Sequence, residues 1–218
     1  MKVLAAVVFG LVVPITPGAI LTDVPATPDA RTRYVFYVHG RIIESQGRNA
    51  VSPDFGRYEY DAILAALAAR GFTVITEVRT VDAGQEFVDK LALQIRLLRA
   101  EGVPARNIGV VGASKGGGLT LRVASAVADP EIAYVVLAGC GGGSVVRAPT
   151  MRGRILSIYD DPDRFNPSCR ATFARASGLT ASREIALTLG LDHGLLYKAH
   201  AGWVGPAAEW LLRQHPTR

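Results

Sequence analysis

Ile108-Gly-Val-Val-Gly112-Ala-Ser114-Lys115-Gly116-Gly-Gly-Leu119 is the stretch on which the reading of this chain turns. An apolar run of β-branched residues breaks at Gly112. A serine stands between small residues, and an Ala- and Leu-containing segment then continues to Ala128. The pattern predicts a strand, a tight turn and a helix. Gly112 and Gly116 flank Ser114 at two residues on either side, where a side chain would clash with a sharply turned backbone. Such a turn lifts the serine hydroxyl above a sheet. It also aims the amide of Lys115, at the start of the helix, towards a developing oxyanion.

Working outward, five further short apolar runs read as strands: Tyr34–Val38, Phe72–Glu77, Ala133–Ala138, Ile155–Tyr159 and Glu184–Thr188. With Ile108–Val111 they make about six, and they are mostly continuous rather than alternating, as in parallel strands buried on both faces. Helices are predicted between them. Tyr58–Arg70 stops at Gly71. Asp82–Ala100 opens on a capping box, Asp82 to Gln85, and repeats Phe87, Leu91, Ile95 and Leu98 at helical spacing. Gly116–Ala128 and Pro206–Arg213 complete the set. Strand–helix alternation of this kind implies an α/β three-layer sandwich, a mostly parallel sheet with helices on both faces. Its ligand belongs at the carboxyl ends of the strands, near a switch in strand order.

The residues at those ends carry the chemistry. His39-Gly40-Arg41 follows the first strand, Ser114 the third, Asp160-Asp161-Pro162-Asp163 the fifth and Asp192-His193-Gly194 the sixth. A serine hydroxyl needs a base to become nucleophilic. His193 sits where such a base belongs, and His39, His200 and His215 fit less well. A carboxylate behind the imidazole would fix its tautomer; Asp160, Asp161 and Asp163 are all candidates.

In this order of elements and residues, the chain from about Arg33 to Arg213 resembles the α/β-hydrolase superfamily. The resemblance implies a reduced version of that fold and a small, lidless serine hydrolase acting on an ester, or alternatively on an amide or thioester, through an acyl-enzyme. It implies Ser114 as nucleophile, His193 as base and amides of Lys115 and Arg41 as the oxyanion hole. In the family the acid stands three residues after a glycine that follows its strand. Aligning Asp160 with that glycine puts Asp163 in the acid position, with Asp160 and Asp161 as alternates. No metal or organic cofactor is required. Two departures stand out. The family's first two strands are absent or fall in the N-terminal region, and the Gly-rich segment between Cys140 and Arg154 is too short for a helical lid. An open site and a small soluble substrate are expected. Cys140 and Cys169 would follow adjacent strands on one rim of the sheet, a separation that suits a disulfide, although two unpaired thiols fit the sequence as well.

A rival reading takes Gly112, Gly116 and Gly118 as the dinucleotide turn of a short-chain dehydrogenase. There the turn follows the first strand, whereas here it follows the third, and no tyrosine is followed four residues on by lysine. A non-catalytic α/β binding domain is the other alternative. A phosphate-binding Gly-Lys-Ser/Thr loop is absent.

Composition bounds the rest. The chain has 218 residues, 49% of them hydrophobic, with a net charge of +5 from scattered Lys and Arg. No run of like charge points to nucleic acid. Arg41, Arg48, Lys115, Arg147 and Arg164 fall near rim loops, where they would favour an anionic substrate, and Glu44 could pair with one of them. Lys2, the apolar run Val3–Val13 and Pro14 describe a secretory signal peptide, too short to span a bilayer as a mature helix. Val24-Pro25-Ala26 is one cleavage site and Ala19 a second. The expected organisation is a signal peptide over 1–26 and a single domain over 27–218. The mature protein is expected to be secreted or periplasmic, without stable membrane insertion, in an oligomeric state the sequence leaves open.

Overall fold

A computed structural model of the chain describes residues 16–141, 150–165 and 167–213. The apolar run Val3–Val13, Arg147, His215 and most of the segment read as lacking a lid lie outside them.

Nine strands and six helices are assigned among the described residues. The strands are β1 (Ile20–Leu21), β2 (Tyr34–Val38), β3 (Val51–Ser52), β4 (Gly56–Arg57), β5 (Thr73–Ile75), β6 (Ile108–Ala113), β7 (Ala133–Leu137), β8 (Gly153–Asp160) and β9 (Leu179–Leu187). The helices are α1 (Arg41–Gln46), α2 (Tyr60–Ala68), α3 (Gln85–Ala100), α4 (Lys115–Val127), α5 (Arg170–Arg175) and α6 (Ala201–Leu212). Seven strands form one sheet in the order β1-β5-β2-β6-β7-β8-β9, and every pairing in it is parallel. β3 and β4 form a separate antiparallel hairpin.

The sheet therefore has one strand more than the six expected. The addition is β1, from the stretch assigned to the signal peptide and its exit. Two residues are too few to register as an apolar run, yet they pair fully: Ile20 lies opposite Val74 and Leu21 opposite Ile75. Cleavage at Val24-Pro25-Ala26 would remove this strand from the domain, and cleavage at Ala19 would leave it.

Successive residues of the continuous apolar strands point to opposite faces, so each strand feeds two cores. Val35 and Tyr37 of β2 pack with Ile63 and Leu67 of α2 and with Trp203 and Leu211 of α6. Tyr34, Phe36 and Val38 pack on the other face, with Ile95 and Leu98 of α3 and Leu121 and Val123 of α4. That alternation makes the three layers. α3 begins at Gln85 after an N-cap at Gly84 without side-chain capping, so the expected box at Asp82 is not used. α6 begins at Ala201, five residues before the expected start. His200 caps it by accepting the Gly202 N–H, and Pro206 lies inside the helix. No helix among the described residues is long and apolar enough to cross a membrane.

Between β2 and β6 the direction of winding reverses. From β2 the chain steps outward to β5 and then crosses back to the far side of β2. The register places Val38 beside Gly112, so the turns after β2 and β6 meet at this switch point.

A disulfide joins Cys140, after β7, to Cys169, the residue before α5, with a sequence separation of 29. Closing a loop of that length restricts the unfolded chain by about 3–4 kcal/mol in the chain-entropy model. Replacing both cysteines by alanine is expected to lower the unfolding free energy by about 2–4 kcal/mol in urea titrations. The parent should show the same loss when reductant is added.

Candidate active site

The turn after β6 is built by close approach. A Cβ on Gly116 would stand 2.0 Å from the Val38 carbonyl oxygen, and one on Gly112 would stand 2.2 Å from Thr120 Oγ1 and 2.3 Å from the Gly116 oxygen. The glycines thus let α4 start against the backbone of β2. Ser114 itself has φ 53° and ψ −119°, a region that a side-chain-bearing residue occupies only under strain. Gly117 is packed as tightly, its virtual Cβ 2.8 Å from Gly139 Cα. Gly112 and Gly116, two of the three glycines of the dinucleotide-turn reading, are thus spent on packing within the protein.

Ser114 Oγ lies 2.9 Å from His193 Nε2, and His193 Nδ1 lies 2.8 Å from Asp163 Oδ2. The Asp163 side chain is fully buried, and its other oxygen accepts the Phe165 N–H at 2.8 Å. Because Nδ1 faces a carboxylate, it carries the hydrogen, which leaves Nε2 free to accept the serine proton.

The three aspartates after β8 occupy different places. Asp163 is at His193. Asp160, buried at the end of β8, accepts N–H bonds from Leu189 at 2.6 Å, from Asp192 at 3.0 Å and from Leu191. It thereby holds the turn that carries His193. Asp161 is exposed. Sequence alone could not separate this role of Asp160 from that of the acid, because a carboxylate that binds backbone amides looks the same in sequence as one that binds imidazole.

Arg41 opens α1 and Lys115 opens α4, and neither helix is capped by a side chain. First-turn amides have no carbonyl four residues back to bond, so these two remain available at the cleft, which both residues line. His39 aims one of them. Its Nε2 accepts the Arg79 amide proton at 2.9 Å, so its Nδ1 carries the hydrogen and donates to the Gly40 oxygen at 2.8 Å. The Gly40 C=O and the Arg41 N–H belong to one planar trans peptide and point in opposite directions. Holding the carbonyl therefore orients the amide. Burial first, and the positive charge of Arg79 second, drive the His39 pKa from 6.5 to about 3 and keep the ring neutral.

The cleft above Ser114 has a volume of about 790 Å³. Phe55, Tyr58, Phe165, Leu196 and Tyr197 give it an apolar, largely aromatic wall. Phe165 stands edge-on to the His193 ring at 4.7 Å and Phe55 lies at 6.1 Å. Phe55 comes from the β3–β4 hairpin, which the strand pattern missed because its strands are two residues long. The turn signal Pro53-Asp54-Phe55-Gly56 was present in the sequence. The rim cations are mostly paired. Arg48 bonds Asp61, Lys115 bonds Glu44, and Arg164 bonds Asp192 at 2.6 Å and Asp54 at 3.2 Å. The expectation that Glu44 would pair with one of them corresponds to the Lys115 contact. Arg79, unnoticed in the sequence, takes Glu44's other oxygen. It follows β5 as His39 follows β2, and the rule of reading strand ends could have found it. His200 caps α6, away from these contacts.

No protein-family model matches the chain, and no curated protein sequence matches it. Solved structures do. The esterase domain of a Rhodothermus marinus protein is 19% identical and aligns over 87% of this chain and 86% of its own, with a TM-score of 0.52. SOBER1 from Arabidopsis thaliana is 16% identical over 82% of this chain and 96% of its own, at 0.54. Est1E from Butyrivibrio proteoclasticus is 14% identical over 87% and 89%, at 0.52. At these identities the likeness is one of fold.

The His39 environment generates a pH dependence. Between pH 6.5 and about 3 the unfolded chain holds a proton on this residue that the folded chain lacks. Stability therefore falls as pH drops through that window, by at most about 1.4 kcal/mol per pH unit from this group. In urea titrations between pH 6 and 4, a His39→Asn variant should lose stability less steeply than the parent. Parallel slopes would show that His39 is not the titrating group.

Proposed function

The chain has the α/β-hydrolase fold, and on it we propose a serine hydrolase that cleaves a small carboxylic ester through an acyl-enzyme. The observation that carries this reading is the unbroken line of contacts from Ser114 Oγ through both nitrogens of His193 to buried Asp163, at 2.9 and 2.8 Å, starting from a strained turn at the switch point. The esterase domain among the structural neighbours supports an ester over an amide or thioester.

Ser114 Oγ attacks the carbonyl carbon while His193 Nε2 takes the hydroxyl proton. The carbonyl π-electrons move to the oxygen, and the amides of Lys115 and Arg41 receive the oxyanion. As the intermediate collapses, the C–O bond to the leaving alcohol breaks and His193 returns the proton to it. Water then attacks the acyl-enzyme with its proton passing to His193. Collapse of the second intermediate frees the acid and restores Ser114. Asp163 holds the ring in the required tautomer and stabilises the imidazolium. His39 and Asp160 position the Arg41 amide and the His193 turn. The chemistry needs a small-molecule ester and no nucleic acid. Export fits the disulfide, since such bonds persist outside the reducing cytosol.

The experiment is intact-mass measurement after exposure to a fluorophosphonate. The parent is expected to gain one adduct, which disappears in Ser114→Ala and forms much more slowly in His193→Ala. Asp163→Asn should fold and lose on the order of 10³- to 10⁴-fold in ester turnover. Absence of an adduct on well-folded parent protein counts against the hydrolase.

A further inference from the structure

Behind the proposed oxyanion amides lies a buried charge cluster that the reaction as described does not use. Glu44, one turn after Arg41 in α1, has a side chain with no solvent exposure, and that of Arg79 is 1% exposed. Glu44 Oε1 accepts from Arg79 Nη2 at 3.1 Å and Nε at 3.3 Å. Its Oε2 accepts from Lys115 Nζ at 2.6 Å, and that ammonium also donates to the Val81 oxygen at 3.1 Å. Arg79 Nη2 donates in addition to the His39 oxygen at 2.5 Å. One carboxylate thus joins the segments that follow β2, β5 and β6.

The connection has a direction. The Arg41 amide begins α1, Glu44 ends its first turn, and Lys115 carries both the ammonium that meets Glu44 and the amide that begins α4. A short path through Glu44 and the Lys115 side chain therefore links the two amides, which otherwise belong to separate helices. Placing a buried carboxylate between two cations incurs a desolvation cost that hydrophobic packing would avoid. Stability alone is a weak reason for such an arrangement.

We propose that Glu44 and the Lys115 side chain are positioning residues that clamp the two oxyanion amides at a fixed separation, an inference that rests on the serine-hydrolase reading above. Lys115 then has two roles, the amide towards the substrate and the ammonium towards Glu44. Two cations share one carboxylate, so the cluster also keeps a net positive charge on the side of the cleft where the oxyanion would form.

Replacing Glu44 would leave Arg79 buried without its counter-charge and could prevent folding, so the test is made on Lys115, whose side chain is 30% exposed. Lys115→Met keeps the length and removes the ammonium, and Lys115→Arg restores a cation within reach of Glu44. Hydrolysis of p-nitrophenyl acetate by the parent and both variants is measured against pH, with circular dichroism to verify folding. The expected result is a fall in kcat of about 10- to 100-fold in Lys115→Met, with KM changed by less than about threefold. The pH–rate profile should keep its shape, because His193 and Asp163 are untouched, and Lys115→Arg should recover most of the loss. A folded Lys115→Met that keeps kcat within about twofold of the parent overturns the clamp and leaves the hydrolase standing. So does a loss that Lys115→Arg fails to repair. A parent that neither turns over the ester nor takes the fluorophosphonate adduct overturns both readings.

Discussion

The backbone of α4 approaches β2 so closely at Gly116 that a single methyl group would sit 2.0 Å from the Val38 oxygen. Much else at the site depends on that contact. It lets the helix begin directly at the end of β6, which leaves Ser114 on a turn too tight for an ordinary backbone conformation. It also brings the first amide of α4 beside the first amide of α1, since both helices start at the carboxyl ends of neighbouring strands. The strand order makes this junction possible: the chain reverses its winding between β2 and β6, and the two turns meet at the crevice.

Around this junction, polar groups are buried in numbers a purely apolar core would avoid, and several of them act on backbone. His39 holds the Gly40 carbonyl, and Arg79 holds the His39 carbonyl. Asp160 holds the amides of Leu189, Leu191 and Asp192 before His193, and Asp163 holds the amide of Phe165 as well as the imidazole. A loop left to itself samples many conformations, and the entropy of fixing it is unfavourable by about 1–2 kcal/mol per residue. Buried charge-assisted bonds to the backbone are strong enough to offset that. They select one loop geometry rather than merely favouring compactness.

This division explains what could be read from the chain. Long parallel strands announce themselves because burial on both faces demands unbroken apolar runs, and β2, β6, β7 and β8 lie close to where that pattern put them. The tight turn after β6 was legible because sterics leave few residue choices around Ser114. The order of Ser114, the aspartates after β8 and His193 along the chain was legible too, as each follows a strand. The short elements were not. β1, β3 and β4 have two residues each and α1 has six, too few to display any period, and they are specified by the partners they meet. The assignment among Asp160, Asp161 and Asp163 was equally out of reach: local sequence cannot tell which carboxylate turns inward to the imidazole and which to the amides of a distant loop.

The charges near the cleft bear on what enters it. Scattered cations beside a site suggest an anionic ligand when only their sequence positions are known. In the folded chain Lys115 turns inward to Glu44, Arg48 lies against Asp61 and the Tyr60 ring, and Arg164 bridges Asp192 and Asp54 while its guanidinium covers Phe55 at 4.9 Å. Arg164 thereby ties the hairpin bearing Phe55 to the turns bearing Asp163 and His193, so its charge is spent on the shape of the cleft. What the cleft offers instead is the aromatic wall of Phe55, Tyr58, Phe165 and Tyr197. Burial lifts the Tyr58 phenol to about 12, so that wall stays neutral at ordinary pH. It gives apolar surface against which a neutral group can pack. With Arg48, Lys115 and Arg164 drawn into ion pairs, Arg41 is the exposed cation left at the cleft among the described residues, and Ser45, Ser52, Asp54 and Asp82 add polar surface beside Ser114 and His193, so the cleft sets an apolar wall against a polar floor and rim.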